Sequence, residues 1–289
     1  MKPSKIKKNI LSTTTIKIDA SGSRGTGFLF GFMIDKENLA PILVTNKHVL
    51  EDAKTIKLRI STSAQGDYET RGGIAEYLIK SGLEQMIIEH PDPRIDLAAI
   101  CVGPIYNDLM GRKLFGYGNM FIETDIITQT ELNEISVADD ILMVGYPIGL
   151  SDDKHNLPIV RRGIIASDPN LPFDGKEQFL IDCACFPGSS GSPVVTKEHF
   201  SLTDTTGQIL ASKKRSALIG ILWGGPVHTS KGEIIVQNVP TAAVPIPIIP
   251  QMVNLGYVIN ASKILDLKAL LMEKTGTSEI NFEYSFLPA

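Results

Sequence analysis

Apolar and β-branched residues fall in short runs along most of this chain, closed by glycine, proline, asparagine or aspartate. Runs of that length and composition read as strands. The first set comprises Ile10–Ile18, Gly27–Met33, Ile42–Thr45, Thr55–Ile60, Met86–Glu89 and Leu97–Val102. Ser21–Gly25, Asp35–Asn38, Gly66–Asp67 and Pro91–Pro93 supply turns between them. Lys47–Asp52 fits one helical turn at a strand end. The second set is Asp140–Gly145, Ile159–Ala166, Phe179–Ala184, Pro193–Thr196, Ala217–Trp223 and Glu233–Val239. Short strands at fairly even spacing predict a sandwich or barrel. The break between the sets, with Gly103 and Pro104 at its start, predicts a connection over about 104–134. It would join a half at about 10–103 to one at about 135–260.

The period changes towards the C-terminus. Pro240, Pro245, Pro247 and Pro250 disfavour both a continuous helix and a central strand. Ser262–Lys274 then carries Ile264, Leu267 and Leu271 at i, i+3 and i+7, which predicts a helix with one apolar face. Ser262 suits its N-cap, and Asp266 and Lys274 suit its dipole. In the tail, 276–289, Ile280, Phe282, Tyr284 and Phe286 alternate with Asn281, Glu283 and Ser285. That alternation predicts an edge strand, added to this fold or to a partner.

Composition narrows the function classes. The chain has 289 residues, 43% of them hydrophobic and 21% charged, as expected of a globular protein with a sizeable core. Its net charge of −4 gives no global electrostatic case for nucleic acid or membrane binding. Lys2, Lys5, Lys7 and Lys8 read as a solvated terminus. No long apolar run near the start suggests a secretory signal or a membrane span. Cys101, Cys183 and Cys185 are the only cysteines, too few for a disulfide framework, and they read as reduced core thiols in a cytoplasmic protein. No metal site is expected, because no Cys-x-x-Cys or His-x-x-x-His pair occurs. No cofactor is expected either: Gly22–Gly27 lacks the Gly-Lys-Ser/Thr ending of a phosphate loop and precedes a strand.

Three short segments carry the chemistry. Val44-Thr45-Asn46-Lys47-His48-Val49 places a histidine at a strand end. Asp96-Leu97-Ala98-Ala99-Ile100 opens an apolar run with an aspartate. Gly188-Ser189-Ser190-Gly191-Ser192-Pro193 flanks a serine with glycines. A serine hydroxyl becomes a useful nucleophile only when a neighbouring base takes its proton, and a buried carboxylate fixes that base as the correct tautomer. Singly, each segment reads more readily as a core histidine, a strand start or a turn.

Together, in the order His, Asp, Ser, they resemble the chymotrypsin/trypsin-like serine peptidases, most of all the disulfide-free bacterial HtrA-type proteases. Further segments agree in order: Gly25-Thr26-Gly27-Phe28-Leu29, Val144–Gly149, Arg162–Ala166, Asp182-Cys183-Ala184, Ile219–Gly225 and Gly256–Ile259. The resemblance covers roughly residues 25–272. It implies an all-β fold of two packed six-stranded antiparallel barrels with a C-terminal helix, the peptidase domain filling about 1–275. It implies His48 as general base, Asp96 as orienting acid and Ser190 as nucleophile, with the amides of Gly188 and Ser190 as oxyanion donors. Ala184 would stand at the pocket base, where trypsin-like enzymes that cut after Lys or Arg have an acid. Leu222, Trp223 and Gly224 would form the pocket wall. The expected activity is a serine endopeptidase cutting polypeptides after small or medium apolar residues, under a possible regulatory protein partner. Loops such as Asp168–Lys176 are an alternative source of pocket shape. About fifteen residues follow the helix, too few for the PDZ domain common among HtrA-type proteases. Ser189 offers no carboxylate for zymogen-type activation, so control is expected through the Phe186–Ser190 loop. A silent peptide-binding module and an esterase or acyl transferase are the alternatives. The α/β-hydrolase order Ser, Asp, His disfavours the latter.

Overall fold

In β1 (Thr15–Ala20), Ile16, Ile18 and Ala20 turn into the core while Lys17 and Asp19 are half-exposed, the period-two pattern expected of a half-buried strand. The computed structural model describes residues 10–35, 38–63, 73–116, 119–197, 199–201, 212–214, 216–231, 248–277, 280 and 282–288. After β1 come β2 (Ser23–Met33), β3 (Leu39–Thr45), β4 (Ile56–Ser63), β5 (Gly73–Ser81), β6 (Ile87–Glu89) and β7 (Ala98–Cys101). They pair in the order β5-β4-β1-β2-β3-β7-β6. β8 (Phe115–Gly116) adds to β4, and β9 (Phe121–Ile122) lies parallel to β2, the exception to an antiparallel sheet. The segment read as a connection therefore holds these two strands and a helix, Gly103–Gly111, which buries Ile105 and Leu109. The strand expected from Ile10 begins later: Ile10–Thr14 is helical, and the hydroxyls of Thr14 and Thr15 donate to the Leu11 carbonyl at 3.1 Å.

The second half is a closed barrel. β10 (Asp140–Gly145), β11 (Ile159–Ile165), β12 (Gln178–Asp182), β13 (Pro193–Thr196), β16 (Leu218–Gly224) and β19 (Leu255–Asn260) form the ring β10-β11-β12-β19-β16-β13. β14 (His199–Ser201) pairs with β15 (Ser212–Lys214), and β17 (Val227–Lys231) with β18 (Ile248–Met252). Pro250 falls in β18, which pairs only with β17 among the described residues, so its missing N–H interrupts no central ladder there. The expected strand Glu233–Val239, the prolines at 240, 245 and 247, the turn Gly66–Asp67 and the lysines at 2, 5, 7 and 8 lie outside the described residues. Met143, Ile165, Phe179, Ile181, Val194, Ile219 and Val258 fill the barrel. A further apolar cluster, with Phe28, Phe30 and Val44 from the first half and Val195, Ile221 and Ile259 from the second, joins the two.

After β19 the chain runs into a 3-10 turn, Ala261–Asp266, and an α-helix, Leu267–Thr277. Ile264, Leu267 and Leu271 are buried, as their spacing predicts. The cap is Asn260 and not Ser262: the Asn260 side chain accepts the Ser262 N–H at 3.0 Å. The last strand, β20 (Glu283–Pro288), lies antiparallel on β5 of this chain. That pairing explains why the first half is an open, curled sheet instead of the expected closed six-stranded barrel. A strand has two edges; β5 gives one to β4 and the other to β20, so none is left for β6. The fold is chymotrypsin-like, with one closed barrel, one curled half-barrel and a C-terminal helix.

Candidate active site

The β3–β7 register places Thr45 opposite Ala98, so Asn46–His48 and Asp96–Leu97 leave the sheet side by side. His48 occupies a single helical turn, Lys47–Leu50. Its Nδ1 lies 2.5 Å from Asp96 Oδ2, and its backbone N–H donates to Asp96 Oδ1 at 3.1 Å. Asn46 is buried and donates to the Asp96 carbonyl at 2.7 Å. One carboxylate thus holds both the ring and the backbone of His48. A proton on Nδ1, donated to Asp96, leaves Nε2 free to accept.

Ser190 comes from the barrel side. Its carbonyl accepts the Thr26 N–H at 2.8 Å, and the Thr26 carbonyl accepts the Thr45 hydroxyl at 2.8 Å. The serine loop is thereby tied to β2 and β3, a few residues before His48. The Ser190 hydroxyl itself is 3.5 Å from the Trp223 carbonyl, its hydrogen-bond acceptor among the described residues. Gly188 and Gly191 have φ near +88° and +84°. A Cβ on Gly191 would stand 1.9 Å from the Thr26 carbonyl oxygen, and one on Gly188 2.6 Å from that of Tyr146, so both positions require glycine. The neighbouring amides are used: Ser189 donates to Phe186, and Gly191 to Leu222. Those of Gly188 and Ser190 have no acceptor among the described residues and remain available to a ligand oxygen.

Thr26 has a role at the site that the sequence did not point to. It is fully buried, and its hydroxyl donates to the Gly188 carbonyl at 2.9 Å and accepts the Tyr146 N–H at 3.0 Å. The sequence signal for it is the Gly25-Thr26-Gly27 segment. Ser189 and Ser192 bury their hydroxyl oxygens with no partner among the described residues.

The expected pocket residues divide. Ala184 is exposed at the surface. The Trp223 ring donates to Gln178 Oε1 at 3.0 Å and stacks on Tyr257 at 5.6 Å, which meets Phe173 of the Asp168–Lys176 loop at 6.2 Å. That loop therefore supports the Trp223 wall. Open space surrounds the position of a Cβ on Gly224. Leu222 departs from the expectation. Its side chain lies in the barrel core, and its backbone is already bonded to Gly191 and Ser192. A strand alternates its faces, so Leu222 and Trp223 cannot line the same wall. Arg161, unforeseen from sequence, donates to the Ala184 carbonyl and lies 5.1 Å over the Phe186 ring. Burial pushes its pKa down, and no carboxylate is among the groups that act on it in the described residues. Burial likewise raises the thiols of Cys101 to about 11 and Cys185 to about 12, with Cys183 also raised. Among the described residues no cluster of His, Cys, Asp and Glu fits a metal ion, and no helix is long and apolar enough to cross a membrane.

Residues 25–201 match the family model of the trypsin-like peptidase domain. No curated protein sequence matches the chain significantly. Among solved structures, the inactive form of Rv3671c from M. tuberculosis is similar at 14% identity and a TM-score of 0.42, over 96% of this chain and 98% of that one. The HtrA-type protease AlgW with a tripeptide is similar at 17% identity and a TM-score of 0.47, over 92% of this chain and 62% of that one. With its family model matched over more than half its length, the chain belongs to the trypsin-like peptidase family and is a serine endopeptidase.

Proposed function

We propose that Ser190 is the nucleophile, His48 its general base and Asp96 the carboxylate that orients His48, with peptide hydrolysis passing through an acyl-enzyme. The observation that carries this reading is the double hold of Asp96 on His48, at 2.5 Å to Nδ1 and 3.1 Å from the backbone N–H. Nε2 would take the Ser190 proton as Oγ attacks the scissile carbonyl and return it to the leaving amine. Attack requires the Ser190 hydroxyl to turn from Trp223 towards His48. The unspent amides of Gly188 and Ser190 would bind the oxyanion.

Specificity follows from the same surroundings. Ala184 gives no acid to pair with a basic side chain, and Arg161 beside it adds like-charge repulsion. Small or medium apolar residues before the scissile bond suit this site, packed against Trp223. The buried, reduced thiols fit work in the cytoplasm, and control would act on the Phe186–Ser190 loop.

The test pairs a fluorophosphonate probe with a peptide library. Unmodified protein should take the probe on Ser190 and cut peptides, and Ser190→Ala should do neither. Labelling without cleavage would favour an esterase or acyl transferase. Failure to label would favour a silent binding module. Strong cutting after Lys or Arg would overturn the pocket assignment alone.

A further inference from the structure

A groove of about 780 Å³ lies beside the serine loop. Gly149, Pro187 and Gly188 line one side; the β1–β2 turn, Arg24 and Lys57 line the other. Strand register sets its charges. Asp19 stands opposite Arg24 across β1–β2 and opposite Lys57 across β1–β4. Directly opposed residues of an antiparallel sheet share a face. Arg24, Asp19 and Lys57 therefore form one row, two cations around one carboxylate.

The contacts leave part of that positive charge unspent. Asp19 Oδ1 holds Arg24 through Nε at 3.2 Å. The terminal nitrogens of Arg24 have no acceptor among the described residues, and Nη1 lies 3.4 Å from where a Cβ on Gly149 would stand. The Gly149 nitrogen in turn lies 3.2 Å from the corresponding point on Gly188. The free end of the guanidinium thus faces the groove near the oxyanion amides. Lys17 brings a further cation behind Gly149, donating to its carbonyl at 2.8 Å. Lys57 shares its charge with Glu76 at 2.8 Å. A guanidinium held by Nε and open at its terminal nitrogens suits a two-pronged carboxylate.

Trp223, which the proposed function puts against the acyl part of the substrate, reaches Ser190 through its carbonyl from the barrel, whereas the groove opens on the β1–β2 side. We infer that Arg24 receives a substrate carboxylate on the leaving-group side of the scissile bond. This rests on the peptidase reading of Ser190. Asp19 acts as the positioning residue that aims Arg24.

The experiment uses the full chain and peptides identical up to the scissile bond. Glu, Gln or Lys is placed at each of the first three positions beyond it, in amidated and free-acid forms. The ratio of kcat/KM within each protein is the readout, so differences in overall activity cancel. Glu should exceed Gln by about two- to five-fold at low salt, and less at high salt. A gain seen with the free acid and not with the side chain assigns the carboxylate to the substrate C-terminus. Arg24→Glu should invert the preference towards Lys. No difference among the peptides in the unmodified protein, or an unchanged preference in Arg24→Glu, overturns the inference. Fluorophosphonate labelling of Ser190 in the same samples separates the two readings. Labelling without a preference sinks the groove alone. If Ser190 does not label, the peptidase reading fails, and anisotropy with fluorescent Glu and Lys peptides decides the groove: tighter Glu binding supports it and equal affinity overturns it.

Discussion

Replacing Thr26 by valine keeps the volume of the side chain and removes a hydroxyl that serves both Gly188 and Tyr146. The buried Gly188 carbonyl would then lose the donor it has among the described residues, at about 1–3 kcal/mol, and the Tyr146 N–H would lose its Thr26 acceptor. The variant should melt lower and react more slowly with the fluorophosphonate, because the Gly188 peptide is no longer held. A labelling rate equal to that of the unmodified protein would show that Thr26 does not position the loop. Asp96→Asn makes a different test. It preserves the contact with His48 and favours the wrong tautomer, so kcat should fall by roughly 10⁴-fold with little change in thermal stability. At this scale the cysteines are inert by environment. With burial raising Cys101 to about 11 and Cys185 to about 12, and Cys183 also raised, none should react with a thiol reagent at pH 8 before the chain unfolds. Stoichiometric labelling of the folded protein would contradict that.

Among the elements, β20 has the most to test. Tyr284 and Phe286 meet the buried Tyr77 at ring distances of 5.4 and 5.3 Å, and Arg112 lies 4.1 Å over Phe286. Asp108 ties this cluster together, accepting from Tyr77 and from Arg112 at 2.7 Å. Burial alone would raise the Asp108 carboxyl, but the hydrogen bonds from Arg112 and Tyr77 outweigh it and hold the pKa below the ordinary 3.8. A folded pKa below the unfolded one gives stability that is present above pH 3.8 and lost as pH falls through the folded value. Amide protection in 283–287, taken relative to the intrinsic exchange rate at each pH, should therefore fall in acid, and Asp108→Asn should flatten that response. Deleting 280–289 removes both the ladder on β5 and the aromatic contacts, so Tm should drop by several degrees or more. An unchanged Tm would mean that β20 contributes nothing net to the fold.

Across the whole molecule, the halves are clasped next to the site. The segment that follows β10 reaches back over the first sheet. Asn156 donates to the Arg59 carbonyl at 3.0 Å, Arg59 faces Asp153 at 3.6 Å, and Lys17 donates to Gly149. The same segment braces the serine loop, with the Ile148 N–H donating to the Pro187 carbonyl at 2.5 Å. Asn156→Ala frees one backbone carbonyl and should cost about 1 kcal/mol or more. Because the clasp and the brace share one segment, phosphonate reactivity should fall along with Tm. A loss of Tm with reactivity intact would uncouple them.

The sequence by itself determined many of the local features: most of the barrel strands, which helical face is apolar, and which three segments carry the residue types of a serine peptidase, though not β5, β8 or β9, nor the helical start at Ile10–Thr14. These depend on neighbours a few positions apart, and periodicity reports them directly. Leu267 and Leu271 are buried because of their spacing, and the alternation of Phe282, Tyr284 and Phe286 marked a strand before its partner was known. The tertiary structure decided what local patterns cannot encode. Strand period does not say which edge a strand gives to which partner, so β20 took the edge of β5 and left the first half open. A motif assigned by order does not say which way each side chain faces, so Leu222 turned into the barrel while Trp223 stayed outside. Thr26, Arg161 and the Arg24–Asp19–Lys57 row act through contacts with residues far away in the chain or through register across three strands. Such contacts exist only once the sheets have paired and the two halves have met, so the pattern of the chain marks at most the segment, as Gly25-Thr26-Gly27 does for Thr26, and not the contacts.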